Sequence, residues 1–210
     1  MQAPAQAIKL HRFFLSGHSH RVELFMSLLQ LPYALIDVAL GEKAHKRPEF
    51  LAMNPFGQVP VIEDGNITLS DSNAILVYLA SKYDDGKWLP RDPLAAAEVQ
   101  RWLSVSAGLL AFGPATARLA TVFKAPVDAE AAIARSHALF TVMDSELQKK
   151  PFLTGAVPTI ADVANYTYIS HAPEGNVSLV PYAYLQAWLQ RIEALPGFVP
   201  MAKTAVGLAA

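Results

Sequence analysis

Two short segments of this chain have the residue types needed to hold a small anionic peptide. Val59 and Pro60 open an apolar run, and a proline there cannot donate to a sheet ladder, which predicts an edge or first strand position with a cis Val59–Pro60 bond. Asp71 and Ser72 stand where a helix with Ile75 on its apolar face would begin. Free N–H groups at a helix start favour an anion, and spare strand backbone can pair with a peptide. The two segments together predict a cleft that binds a peptide through backbone as well as side chains.

Ser16 is the candidate for chemistry at such a cleft. It lies between a predicted strand and a predicted helix, next to Gly17. A hydroxyl that donates to an ionised thiol, with a helix N-terminus beside it, supplies about 2–4 kcal/mol, and lowering a thiol pKa from about 8.5 to about 6.5 requires about 2.7 kcal/mol. The alternative is a purely structural role, in which Ser16 or Ser19 caps the helix. Ser19 lies closer to the apolar run, so it is predicted as the better cap and as the rival for the chemical role.

The chain contains no cysteine. Disulfides, thiolate metal sites and protein-thiol redox chemistry are therefore excluded, and any thiol chemistry must use a thiol that the ligand brings. We do not predict a metal site at His11, His18 and His20. His18 and His20 are an i,i+2 pair at a strand-to-helix junction, so they share no fixed face, and no carboxylate completes a set of ligands. We predict no metal, and we expect His18 to border the substrate opening.

The elements that must position these residues alternate between strand and helix up to residue 83. The pattern predicts strands over 8–15, 33–38 and 67–69 and helices over 19–30 and 48–53. A helical crossover between the first two strands implies a parallel pair, and Asp64-Gly65-Asn66 is a hairpin turn signal. The order βαβ followed by ββα is that of a thioredoxin-like domain, which we place over 1–83.

Strand signals are absent from the rest of the chain. Residues 84–93 are polar, carry two prolines and show no sustained period, so they are the predicted linker. Helical patterns follow over 94–112, 128–148, 159–171 and 182–194. Thr159 and Asp162 fit a capping box at the start of the third of these helices. The predicted fold class is therefore α/β plus all-α, with a C-terminal helical-bundle domain over 94–210.

Composition excludes several classes of partner. Of the 210 residues, 52% are apolar and 17% are charged, and the formal net charge is -1, which provides no electrostatic footprint for nucleic acid or for a membrane surface. No apolar stretch approaches the ~20 residues that span a bilayer, and the N-terminus lacks the pattern of a signal peptide. We therefore expect a cytoplasmic protein with no nucleic-acid or membrane partner.

At residues 45–65, HKRPEFLAMNPFGQVPVIEDG, and 71–75, DSNAI, the chain resembles the glutathione S-transferase family, and in particular its serine-type, phi/theta-like and bacterial branches. The resemblance extends more weakly over nearly the whole chain. It implies an N-terminal thioredoxin-like domain that binds glutathione and a helical domain that supplies the acceptor pocket.

The resemblance also implies roles for individual residues. Ser16 would stabilise the glutathione thiolate. The implied glutathione contacts come from three segments: His45 and Lys46; Gln58, Val59 and Pro60; Asp71 and Ser72. His45 and Lys46 would bind the glycine carboxylate, although a solvated basic loop is the simpler interpretation of that pair. Asp71 would face the ammonium group and Ser72 the carboxylate of the γ-glutamyl unit. Many relatives have Glu where this chain has Asp71.

The acceptor pocket is implied only in outline. Its candidate residues lie at the first strand end and on helices of the second domain: Phe14, His18, Phe112, Arg118 and Tyr166. The implied reaction is attack of the glutathione thiolate on a hydrophobic electrophile, with glutathione as a substrate. The alternatives are glutathione-dependent reduction of a disulfide or peroxide with a second glutathione, and a non-catalytic binding or regulatory module. A homodimer is implied as well.

Overall fold

The computed structural model describes residues 4–210, and it divides the chain into two compact units. The first unit runs to Leu89 and includes Leu195–Ala202, and the second comprises Pro90–Ala194 and Lys203–Ala210.

The first unit contains one four-stranded mixed sheet. Its strands are β1 (Ile8–Arg12), β2 (Tyr33–Asp37), β3 (Val61–Asp64) and β4 (Ile67–Ser70), in the order β2-β1-β3-β4. β1 pairs in parallel with β2 and antiparallel with β3, and β4 returns antiparallel to β3 through the predicted hairpin turn. This confirms the predicted thioredoxin-like arrangement.

Three helices accompany the sheet: α1 (Gly17–Leu28), α2 (Pro48–Met53) and α3 (Ser72–Tyr83). α1 begins two residues before the predicted start, and β1 ends at Arg12 rather than at residue 15. The core between sheet and helices is fully buried and aliphatic or aromatic: Ile8, Leu10, Val22, Phe25, Val61, Ile62, Ile75 and Leu79. The apolar positions that predict each element therefore also fix which face of it is buried.

The hairpin is tied to the far end of α3 by Asp64, which is only 6% exposed. One of its carboxylate oxygens accepts hydrogen bonds from the hydroxyls of Tyr78 (2.7 Å) and Tyr83 (2.6 Å) and from the Lys82 ammonium (2.7 Å). Burial opposes ionisation, but these three donors outweigh it and hold the pKa of Asp64 below its usual range. The hairpin turn and the C-terminal end of α3 are thus held together.

A C-terminal segment, Leu195–Ala202, returns to the first unit. The ring of His20 on α1 is hydrogen-bonded through Nε2 to the Val199 carbonyl at 2.9 Å. Gly197 has φ +87°, and a Cβ there would lie 2.7 Å from the Ser27 carbonyl oxygen, so this approach to α1 requires glycine. Nothing in the residue pattern predicted this return, because it depends on contacts across more than 170 positions.

The second unit is helical, as predicted: α4 (Pro93–Val105), a π-helical stretch (Ser106–Ala115), α5 (Thr116–Val122), α6 (Ala129–Leu147), α7 (Ile160–Ser170) and α8 (Ala183–Glu193). α7 starts with the capping box, in which Thr159 and Asp162 each bond the other's backbone. Asp162 also accepts from the Trp188 indole N–H (2.8 Å) and from the Leu153 N–H (2.9 Å). A local cap therefore also anchors α8 and the preceding loop.

The first helix of this unit is longer than predicted. The pattern places a break at Gly113-Pro114, yet the helical path continues to Val122 with a kink at Gly113 (φ -100°, ψ -106°). Pro114 has no N–H, and the Thr116 hydroxyl donates to the Ala111 carbonyl at 2.8 Å, so a side chain satisfies part of the interrupted ladder.

The combined stretch Pro93–Val122, 30 residues, is long and apolar enough to cross a bilayer by length and composition alone, which corrects the expectation that no stretch is long enough. It packs against α6 and α7 within its own unit. Its Arg118 is buried in an ion pair with Glu174. These contacts hold the stretch within the second unit.

Candidate active site

The starts of α1 and α3 are joined by a buried arginine. Arg21 on α1 is 1% exposed, and its Nη1 donates to the Ser72 hydroxyl oxygen (3.2 Å) and to Asn73 Oδ1 (2.8 Å) at the start of α3. Each helix N-terminus carries a partial positive charge, and the guanidinium adds a full one. The arrangement concentrates positive potential where two sets of free N–H groups meet, which favours an anionic ligand.

Ser16 is the N-cap of α1. Its Oγ accepts a hydrogen bond from the Ser19 N–H at 3.2 Å, and the helix begins at Gly17. The prediction that Ser19 caps this helix is therefore wrong. The apolar period starts late because the first turn is occupied by Gly17, His18 and Ser19, so the pattern placed the start two residues too far along the chain.

Ser19 has a different local role. It is 1% exposed, and its Oγ accepts from the Phe13 N–H at 3.3 Å. That contact closes the turn between β1 and α1 and leaves Ser16, which is half-buried, at the outer end of the helix. A capping hydroxyl uses an oxygen lone pair and keeps its proton, so Ser16 can accept from Ser19 and still donate to a ligand.

His18 follows Ser16 by two residues and reaches across to α3. Its Nδ1 lies 3.2 Å from Ser72 Oγ. Burial, together with the nearby Arg21 charge, lowers the pKa of His18 to about 3, so the ring is neutral at physiological pH. His18 is therefore a neutral hydrogen-bonding group between the two helix starts.

Asp71 and Ser72 form the start of α3, as predicted. Asp71 is exposed and caps the helix by accepting from the Ala74 N–H at 2.9 Å. Its φ is +70°, a value that non-glycine residues rarely adopt. Ser72 is 5% exposed and its hydroxyl faces Arg21 and His18. A capping carboxylate still has an oxygen available for a cation, so capping and ligand contact are compatible at Asp71.

The loop before β3 is held by two side chains. Asn54 Nδ2 donates to the Gln58 carbonyl (2.8 Å) and Asn54 Oδ1 accepts from the Phe56 N–H (3.1 Å). The Lys46 ammonium donates to the carbonyls of Phe56 (3.2 Å) and Gly57 (2.9 Å). The loop 54–58 therefore has a defined shape that leads the chain into Val59.

Val59 leaves its backbone groups available. The Val59–Pro60 bond is cis, as predicted. Among residues 4–210, none forms a hydrogen bond with the N–H or C=O of Val59, because β3 begins at Val61. Val61 pairs with His11, so continuation of that register brings Val59 beside the residues that follow β1. A peptide can add to the sheet here as a further strand.

His45 lies next to Lys46 in a short 3-10 turn and is half-buried. Burial and the Lys46 charge lower the pKa of His45. Lys46 makes two carbonyl contacts, so its ammonium already has a structural role beyond the predicted one of binding a carboxylate.

Comparisons with known proteins agree with this geometry. Residues 15–82 match the family model of the glutathione S-transferase N-terminal domain, and residues 106–196 match that of the glutathione S-transferase C-terminal domain. The chain is 32% identical over 207 residues to glutathione S-transferase 3 of Zea mays, with 91% of each chain covered. It belongs to the glutathione S-transferase family. It is an enzyme of that family.

Other relatives mark the range of the family around this chain. The disulfide-bond oxidoreductase YfcG of Escherichia coli is 29% identical over 191 residues, which cover 85% of this chain and 87% of the relative. A crystal structure of a glutathione S-transferase from Pseudomonas fluorescens has a TM-score of 0.89 at 30% identity and covers 94% of this chain and all of its own. A transferase homologue from Drosophila mojavensis with bound glutathione has a TM-score of 0.82 at 29% identity, with 90% and 89% covered.

Two of the residues predicted for the acceptor pocket of this glutathione S-transferase are buried and bonded within the second unit, and their role there stays a prediction. Arg118 is 2% exposed and its guanidinium pairs with Glu174, which also bonds to His171 at 2.8 Å. Tyr166 is 4% exposed and its hydroxyl donates to Glu193 at 2.9 Å; burial, with the Glu193 charge, raises the pKa of Tyr166. Helical spacing identifies these positions but cannot show that their polar groups already have partners in the unit.

The two predicted phenylalanines are exposed. Phe14 is 49% exposed and lines a cavity of about 310 Å³ with Phe13 and the C-terminal segment. Phe112 is 63% exposed and lines a groove of about 830 Å³ in the second unit, with Leu109 and Arg135 among its neighbours. Their role in binding an acceptor stays a prediction.

Sequence reasoning missed the two residues that organise the site. The residue pattern assigned no role to Arg21 or to Asn54. A signal existed for Arg21, since a charged residue adjacent to the buried Val22 face of a helix needs a partner.

Within residues 4–210 no group of three or more potential ligands forms a metal site.

Proposed function

We propose that this enzyme binds glutathione in the first unit and uses the Ser16 hydroxyl to stabilise the glutathione thiolate for attack on a hydrophobic electrophile. The observation that supports this most directly is the convergence of the α1 and α3 starts, tied together by Arg21. Ser16 caps the first of these helices and Ser72 starts the second.

Each part of the tripeptide has a chemically suited partner in this proposal. The γ-glutamyl carboxylate binds at Ser72 and the α3 N-terminus, and the ammonium group binds to the exposed Asp71 carboxylate. The cysteinyl backbone pairs with Val59. The glycine carboxylate binds beside His45 and Lys46, with Gln58 at the same edge.

Ser16 supplies the chemical step by donating its proton in a hydrogen bond to the sulfur. A hydrogen bond to a charged group contributes about 1.5–3 kcal/mol, and a helix N-terminus about 0.3–1 kcal/mol. These two contributions are of the size needed to keep a large fraction of a bound thiol ionised near neutral pH. The thiolate then forms a carbon–sulfur bond to the acceptor, and the acceptor's leaving group departs with its electron pair.

Reduction of disulfides is a second candidate, favoured by the likeness to a relative named as a disulfide-bond oxidoreductase. The chain has no cysteine, so both thiols must come from glutathione. The first thiolate would attack the disulfide and release one thiol, and a second glutathione would cleave the mixed disulfide to yield oxidised glutathione. The same Ser16 geometry serves either reaction.

Calorimetry with reduced glutathione tests the shared binding step. We expect saturable binding that Ser72→Ala weakens about tenfold, equivalent to about 1.4 kcal/mol. Initial rates with a chlorodinitrobenzene, a dialkyl disulfide and an organic hydroperoxide then separate the reactions. Absence of binding at millimolar glutathione would contradict the proposal and favour a non-catalytic module. Family membership also supports a cytoplasmic homodimer, which sedimentation equilibrium and cell fractionation would test.

A further inference from the structure

The cavity of about 310 Å³ in the first unit contains an ion pair in its lining. Arg12 at the end of β1 and Glu23 on α1 both line it, and Arg12 Nη1 donates to Glu23 Oε2 at 2.5 Å. Only 21% of the Arg12 side chain and 14% of the Glu23 side chain are exposed. The rest of the lining is mostly aromatic or apolar: Phe13, Phe14, His20 and residues 200–202.

The ion pair leaves one oxygen of the Glu23 carboxylate without a protein donor. Arg12 divides its N–H groups between two carboxylates, because its Nε also donates to Asp37 at 3.0 Å. Among residues 4–210, only Arg12 bonds to the Glu23 carboxylate, and it does so through Oε2, so Oε1 remains for a ligand. Water in the cavity can donate to Oε1, but only a cation also offsets its charge, and partly buried charges are screened little by salt. One guanidinium facing two carboxylates therefore favours a positively charged ligand group over a negative one.

Two phenylalanine rings suit such a ligand. The ring centroids of Phe13 and Phe14 are 5.0 Å apart and their planes are tilted by 59°. Phe14 is 49% exposed, so its ring is accessible. The face of an aromatic ring attracts a cation and also packs against an aliphatic chain. The lining thus matches an ammonium group on a short apolar chain.

The cavity adjoins the turn that carries Ser16. The Phe13 carbonyl accepts from the Ser16 N–H at 2.9 Å, and Phe14 lies between these two residues in the chain. Glu23 follows Ser16 by seven residues, which is about two helical turns, so the two lie on the same side of α1 about 10 Å apart along its axis. This separation sets the length of a molecule that reaches from Ser16 to Glu23.

We propose that this cavity binds a tail of the acceptor substrate and that Glu23 selects acceptors with an ammonium group about 10 Å from the electrophilic carbon. The inference rests on the proposed function, which places the glutathione thiolate beside Ser16. The thiolate bonds to the electrophilic carbon, and the leaving group departs with its electron pair. The ammonium group keeps its protons and donates to Glu23 Oε1. A volume of 310 Å³ corresponds to about ten water molecules at about 30 Å³ each, which is enough for a short alkylammonium tail.

Matched electrophiles test this selection. Three 4-chloro-3,5-dinitrobenzamides are compared, which differ only in whether a two-carbon tail on the amide nitrogen ends in an ammonium, a hydroxyl or a carboxylate group. Each loses chloride from the same ring carbon, and the rate with free glutathione corrects for any difference in reactivity. We expect kcat/KM for the ammonium compound to exceed that for the hydroxyl compound about tenfold, with the carboxylate compound lowest. Equal values for ammonium and hydroxyl, or a preference for carboxylate, would overturn the proposal.

Glu23→Gln and Asp37→Asn are a matched pair of variants. Each neutralises a carboxylate that bonds to Arg12, but only Glu23 lines the cavity. The preference for ammonium over hydroxyl should fall to about twofold or less in Glu23→Gln and stay within about twofold of wild type in Asp37→Asn. An equal loss in both variants would mean that the preference reflects the total charge around Arg12, and would contradict a direct contact with Glu23.

These outcomes separate the inference from the proposed function. Turnover of the ammonium and hydroxyl compounds at equal rates, with saturable glutathione binding, would overturn the inference and leave the function intact. If glutathione does not bind and no compound reacts, both are overturned.

Discussion

Replacement of Ser16 separates its two roles, because glycine and alanine differ as helix caps. Both substitutions remove the hydroxyl that we propose donates to the thiolate. Loss of that bond, about 1.5–3 kcal/mol, raises the thiol pKa by about 1–2 units at 1.36 kcal/mol per unit. At a pH equal to the wild-type thiol pKa, the thiolate fraction and the rate should fall about fivefold to fiftyfold.

The cost in stability should differ between the two variants. Ser16 accepts from the Ser19 N–H at 3.2 Å. Loss of such a cap to alanine costs about 0.5–2 kcal/mol, whereas loss to glycine costs a few tenths. For a chain of this size, 1 kcal/mol corresponds to about 2–4 °C in melting temperature. Ser16→Gly should therefore lose activity with little loss of stability, and Ser16→Ala should lose both.

The assay is a titration of thiolate absorbance of bound glutathione, with thermal unfolding in parallel. Ser19→Ala is the control, because it loses the buried contact to the Phe13 N–H and should unfold at a lower temperature while the thiol pKa stays unchanged. Ser16→Thr retains both cap and donor and should resemble wild type. A wild-type thiol pKa in Ser16→Gly, or a raised one in Ser19→Ala, would refute the assignment of the donor.

Three further predictions concern the frame around the site. Asp64 has a depressed pKa in the folded state, so its contribution to stability is present above its unfolded pKa of about 3.9 and is lost as pH falls through the folded value. The melting temperature of Asp64→Asn should therefore fall less steeply than that of wild type as the pH is lowered. Parallel curves of melting temperature against pH would argue against this. Arg118→Met should lower the free energy of unfolding in urea by about 3–5 kcal/mol, because it leaves Glu174 buried without its cation. The double variant Arg118→Met with Glu174→Leu should recover part of that loss. Strictly additive losses would contradict the coupling between the two residues. Gly175→Ala should lower the melting temperature, because its Cβ would lie 2.7 Å from the Arg118 backbone nitrogen. Gly108→Ala is the control: its Cβ meets open space, so the substitution should be neutral or stabilising by up to about 1 kcal/mol. Equal melting temperatures of the two variants would be inconsistent with this packing.

Much of the local structure follows from residue order alone. The hairpin at Asp64-Gly65-Asn66, the cap at Asp71 and the capping box at Thr159 were all predicted, because each depends on groups within a few residues of one another. The fold class was predictable for the same reason, since the change from mixed strand and helix signals to helix alone reflects the period of the buried face.

Helix starts and helix continuity were less accessible. The apolar period of α1 begins after its first turn, so pattern alone assigned the cap to Ser19, although Ser16 provides it. The kinked stretch through Gly113 and Pro114 has the residues of a helix break, yet Thr116 satisfies a carbonyl there and the path continues. In both cases a side-chain hydroxyl, not a propensity, decides the boundary.

Only the tertiary structure decides which polar groups are available to a ligand. Arg118 pairs with Glu174, 56 residues away, and Arg21 reaches Ser72, 51 residues away. Both are arginines on helices that carry apolar residues, and helical spacing does not identify the partner of either one. One becomes part of a buried structural ion pair and the other charges the candidate site, because a buried charge must be paired, and its partner is set by how distant elements pack.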